Sequence, residues 1–82
     1  MNMPNELNTR SERVAEEVRA EMARRQISVN ALSEDSGVPI STLRRSVNGQ
    51  RPFTIQELFV ITRLLDTTVV DIVQRAEGRT AA

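Results

Sequence analysis

A chain of 82 residues has room for one domain, whose core is stable only if most of its apolar side chains share a single cluster. Cysteine and histidine are both absent, which excludes disulfides, the usual zinc and iron–sulfur ligands, and thiol or imidazole catalysis; no metal, cofactor or small molecule is expected. Eleven acidic residues balance eleven basic ones, all arginine, and zero net charge taken alone argues against nucleic acid, whose binding is driven by cations that displace counterions from phosphate.

Residues 1–8 are polar and non-periodic, the pattern of a loose tail. The opening MNMPNELNTR lacks the apolar centre of a signal peptide, and no apolar run approaches bilayer length, so a soluble cytoplasmic protein without membrane contact is expected. Thr9 and Glu12 have capping-box spacing, in which hydroxyl and carboxylate each satisfy an unpaired backbone N–H, and they predict a helix from about Arg10. Val14, Val18 and Met22 form its one apolar stripe, with Arg13, Glu16, Glu17 and Arg24 left to solvent.

Ile27 interrupts that pattern, and Ser28 is placed to cap a second, short helix reaching about Ser36. Gly37 can take the left-handed conformation that ends it, and Pro39 suits the first position of a third helix, where a missing N–H costs nothing. That helix runs to Val47, and Asn48-Gly49 stops it ahead of the turn formers Gln50-Arg51-Pro52-Phe53. Thr54 and Glu57 repeat the capping-box spacing. The stripe Leu58, Ile61 and Leu65, widened by Ile55 and Phe59, makes the fourth helix the expected most buried element. Thr68 then caps a last helix carrying Val69, Ile72, Val73 and Ala76 inward and closed by Gly78. The valines around Asp71 favour a strand by propensity, but a lone strand has nothing to pair with, so helix is preferred. The folded domain is therefore 9–78, with a second tail at 79–82.

Two short helices joined by so tight a turn must cross steeply, so that the first packs behind while the second projects outward, as a helix does when it enters the major groove of DNA. On the third helix Leu43 and Val47 read as core, and Ser41, Thr42, Arg44, Arg45 and Asn48 occupy the other side with hydrogen-bond donors. The charge order agrees with this. Glu6, Glu12, Glu16, Glu17, Glu21, Glu34 and Asp35 all precede position 36, whereas 36–56 holds Arg44, Arg45 and Arg51 and no acid.

Ile27-Ser28, Leu32, Gly37-Val38, Ser41-Thr42-Leu43, Asn48-Gly49, Arg51-Pro52, Leu58, Ile61, Leu65 and Val69 to Ile72, in this order and spacing, resemble the lambda-repressor-like family of phage and bacterial regulators that contains Cro and the XRE-type proteins. The resemblance implies an all-α, five-helix fold with its helix-turn-helix at helices two and three and a double-stranded DNA operator as partner; separately, with no histidine, cysteine or tyrosine there is no candidate nucleophile–base pair, so no enzyme is expected. The resemblance also implies that Ile40, Ser41 and Arg45 touch bases, that Asn48 holds phosphate, and that Arg51 meets the sugar-phosphate backbone or a minor groove; Thr42 and Arg44, on the same outward side, are expected at bases as well, and Ser28 and Asn30 at the backbone. Where the family usually has a glutamine that clamps phosphate this chain has Val29, so that contact is either lost or replaced by Asn30. An arginine–glutamate pair common between helices one and three is here Met22 and Val47, which are expected to touch. Asn48 has a local alternative as a helix stop, and Ile40 as a packing residue. Val70 is left outside the inward stripe of helix five, so a homodimer through Val70 and Val73 is considered beside ordinary exposure. The leading expectation is a phage or prophage repressor of Cro or immunity type acting by operator occupancy. An antitoxin that also binds a partner toxin, and a protein-interaction module on the same fold, are the alternatives.

Overall fold

The described residues of the computed structural model are 6–80, with side chains described for 9–78, and they form five helices without a strand. These are α1 (Glu6–Arg25), α2 (Val29–Ser36), α3 (Ile40–Val47), α4 (Ile55–Leu64) and α5 (Val69–Thr80). One cluster holds them together: Val18 and Met22 of α1, Leu32 of α2, Leu43 and Val47 of α3, Leu58 and Ile61 of α4, Leu65 beyond it, and Ile72 of α5. α1 packs chiefly on α5 and touches α3, and α2 lies against both α3 and α4. Met22 and Val47 are both buried in that cluster, so two apolar side chains fill the space without the desolvation that a charged pair there would cost.

Local chemistry sets most helix boundaries. The Ser28 hydroxyl accepts from the Ala31 N–H at 3.1 Å, and Thr68 does the same for Asp71 at 3.1 Å. Thr54 and Glu57 form a complete capping box, with the Glu57 N–H on Thr54 Oγ1 at 3.1 Å and the Thr54 N–H on Glu57 Oε1 at 2.9 Å. Gly37 ends α2 in the left-handed region at φ +80°, as its lack of a side chain suits.

Helices α1, α3 and α4 end alike. At each, the residue past the cap has positive φ and its N–H reaches back three residues, while the next N–H reaches back five, closing a Schellman motif. Glycine fills the left-handed position only after α3, at Gly49; Gln26 and Asp66 occupy the other two, each at φ 56°.

Several expectations are corrected. α1 starts at Glu6, about one turn before the capping-box reading placed it, so Thr9 lies inside the helix. α5 runs through Gly78 to Thr80, so the helix enters the stretch expected as a tail; 1–5, within the expected first tail, lie outside the described residues. Pro39 is the N-cap of α3 rather than its first residue. Ile55 and Phe59 are 52% and 62% exposed, because the buried stripe of α4 is Leu58, Ile61 and Thr62, continued by Leu65. Val73 sits at the rim, 36% exposed, instead of facing inward. Glu17 and Glu21 are buried, since α1 is covered by both α5 and α3 and not along one stripe alone.

Candidate nucleic-acid interface

The turn from α2 to α3 is three residues, Gly37 to Pro39, and side chains fasten it. Ser33 Oγ donates to the Val38 carbonyl at 2.6 Å, and the Val38 N–H donates to Ser36 Oγ at 3.1 Å. Beyond it, α3 buries Leu43, Ser46 and Val47, three positions on one side of two turns, and directs the rest outward. Ser41, Arg44, Arg45 and Asn48 are exposed, and Ile40 and Thr42 are half-buried beside them. Neither Arg44 nor Arg45 has an ion pair or a side-chain hydrogen bond among the described residues, so both guanidinium groups point into solvent with all their donors available.

Elsewhere several acids are paired with arginines. Glu21 is 2% exposed and receives Arg75 from α5 at 2.8 Å, Arg25 at 3.4 Å, and Arg24. Burial alone pushes its carboxyl up, but the Arg75 hydrogen bond and the charges of Arg24 and Arg75 outweigh that and hold it below the usual glutamate range. Arg10 pairs with Glu77 at 2.9 Å and Arg13 with Glu16 at 3.1 Å. With no acid between 36 and 56, the charges of Arg44 and Arg45 on α3 are uncompensated within that segment, although the molecule is neutral.

The second strip of expected contacts lies at the start of α2. Ser28 and Asn30 are exposed there, with the Ser28 hydroxyl engaged as the cap. Asn48 ends α3 with φ −85°, and the left-handed step falls on Gly49, so the asparagine side chain is not what turns the backbone. Arg51 differs from the other candidates. Its Nη1 donates to Ser46 Oγ at 2.7 Å and to Glu57 Oε1 at 3.0 Å, and its Nη2 donates to Glu57 Oε2 at 3.2 Å. Arg19 of α1, which the sequence did not single out, donates to the Val47 carbonyl at the end of α3.

A family model described as the Cro/C1-type HTH DNA-binding domain matches residues 17–76, which include all of α2, α3 and α4. The chain belongs to this family. Cro/C1-type domains bind DNA through the helix-turn-helix and are not enzymes. The crystal structure of the clp gene regulator ClgR from Corynebacterium glutamicum superposes with a TM-score of 0.82 at 22% identity, covering 88% of this chain and 77% of that one. That likeness gives the fold, the five-helix lambda-repressor-like arrangement. No curated protein matches the sequence. Among the described residues no group of acids could hold a metal ion, and no helix is long and apolar enough to cross a membrane.

Proposed function

We propose that this Cro/C1-type regulator reads a specific duplex operator with α3 and represses transcription by occupying it. The observation that carries the reading is the pair Arg44 and Arg45, exposed and unpaired on the outward side of α3. Arg45 makes a bidentate contact to guanine O6 and N7, Ile40 packs on a thymine methyl, and Ser41, Thr42 and Arg44 donate to neighbouring base edges. Asn30 and Asn48 hold phosphate on either side, together with Ser28 and the free N–H groups at the start of α2. Arg51 is set apart from these by its bond to Glu57. A phage or prophage repressor of Cro or immunity type is the setting that the resemblance favours.

A homodimer is part of the same reading. Val70 is 62% exposed and shares a groove between α4 and α5 with Phe59, also 62% exposed. Arg63 and Asp66 also line that groove, with Asp66 3.7 Å from Arg25 of α1. Val73, one turn along α5 from Val70, borders a crevice with Val14 of α1, and Phe59 adds an apolar side chain within the groove itself. Two copies would then place their α3 helices about 34 Å apart on a palindromic site.

The experiment is selection of duplexes from a random pool, followed by footprinting and a reporter assay on the enriched site. A palindromic footprint and reduced reporter expression are expected. Binding that is insensitive to both sequence and salt would remove the operator reading, because a phosphate-anchored complex must weaken as salt rises.

A further inference from the structure

We propose that Arg51 is a positioning residue for DNA reading: it sets the pose of α3 through Ser46 and Glu57 and does not itself bind phosphate. The proposal rests on operator recognition by α3 and adds what holds that helix in register.

Ser46 lies in the last turn of α3, and at 1% exposure its hydroxyl has no water to bond. Arg51 supplies the partner, at 2.7 Å. The same guanidinium grips the Glu57 carboxylate through two nitrogens, the fork geometry that fixes direction as well as distance. Glu57 is itself fixed, because it closes the capping box that begins α4. The end of α3 is therefore tied to the start of α4 by a chain of directed bonds across the loop 48–54. Burial raises the Glu57 carboxyl, yet the Arg51 and Thr54 hydrogen bonds bring it below the usual range, so it stays ionised and keeps hold of the arginine.

A cation so engaged has a carboxylate where a phosphate would otherwise sit. The pair Arg51 and Glu57 adds no net charge to the DNA-facing side, and few counterions would be released through it. What Arg51 controls instead is where Arg44 and Arg45 project, because both ride on the turns that Ser46 anchors. A small tilt there misaligns base contacts while phosphate contacts, made by flexible side chains to a uniform backbone, survive.

The test uses the full chain with Arg51→Ala, Arg51→Lys and Glu57→Gln. Each is assayed against the duplex that wild-type protein enriches and against a scrambled duplex, across a salt series. Glu57→Gln keeps an acceptor for the Thr54 N–H, and Arg51→Lys keeps the charge, so circular dichroism should show both folded. The expected result is a loss of about tenfold or more in the preference for the enriched duplex in all three, the size of one mismatched base pair. The salt slope should be unchanged in Arg51→Ala. Equal loss on both duplexes with a slope smaller by about 0.9, the signature of one phosphate contact, would overturn the proposal, as would wild-type preference in Glu57→Gln. A wild-type protein that enriches no sequence would overturn the operator reading and this proposal together.

Discussion

Arg75 Nη1 lies 2.8 Å from Glu21 Oε2, an ion pair that crosses from α5 to α1 with its carboxylate almost wholly buried. Arg24 and Arg25 close on the same carboxylate from within α1. Since the folded state lowers the Glu21 pKa, as it does that of Glu57, each stabilises the protein when ionised. That contribution is full above the unfolded glutamate pKa of about 4.3 and is lost as pH falls through the lower folded values. Thermal midpoints should therefore hold between pH 7 and 5 and drop below about pH 4. In Glu21→Gln the neutral-pH midpoint should be lower and the acid drop shallower; an acid drop as steep as in wild type would show that Glu21 is not a source of it.

Arg45→Ala should leave the circular dichroism spectrum intact and remove most of the operator preference. One bidentate guanine contact discriminates by about 1–3 kcal/mol, a factor of about 5 to 150. Competition between the enriched duplex and single-base variants reads this directly. An unchanged base profile would take Arg45 out of the reading role.

Gln26 and Asp66 each hold a left-handed conformation that disfavours a Cβ. Gln26→Gly should stabilise the fold by about 0.5–1 kcal/mol, the relief exceeding the extra chain entropy that glycine brings. In a domain of this size that raises the thermal midpoint by a few degrees, about 4–8 °C per kcal/mol. Gly37→Ala should lower it, because φ +80° is strained for alanine even though nothing lies within 4 Å of an added Cβ. Equal midpoints for wild type and Gln26→Gly would mean that the Schellman turn after α1 carries little strain.

Val70→Asp places a charge in the groove that also contains Phe59 and Asp66. If this surface joins two copies, sedimentation should give a monomer at concentrations where wild type is a dimer. Operator affinity should then fall by more than affinity for a single half-site. Identical sedimentation of the two proteins would remove the groove from any dimer.

What could be read from the sequence was whatever neighbouring residues decide among themselves. Ser28, Gly37, Thr54 with Glu57, and Thr68 all act within four residues of their partners, and all behave as their chemistry dictates. Thr9 with Glu12 has the same spacing as Thr54 with Glu57, yet the helix is already formed upstream, so spacing alone did not mark a start. The positions misjudged or not foreseen are those decided by distant elements. Glu21 is interior because Arg75, 54 residues away, supplies its counterion. Phe59 is outside because no helix covers that edge of α4. Among the candidate contacts, Arg44 and Arg45 followed from helical spacing, while the commitment of Arg51 depended on where the loop 48–54 returns. A glutamate that already completes a capping box, six residues from an arginine across a turn, is the signal that pointed there.

The bond from Arg19 to Val47 ends on a main-chain oxygen, which is present whatever amino acid occupies the position. Together with the buried trio Leu43, Ser46 and Val47, it seats the helix without drawing on positions 41, 44, 45 or 48. Those four sites are thus open to exchange as a set: a library varied only there should yield domains of equal melting temperature and different operators, a replaceable reading head on an unaltered mount.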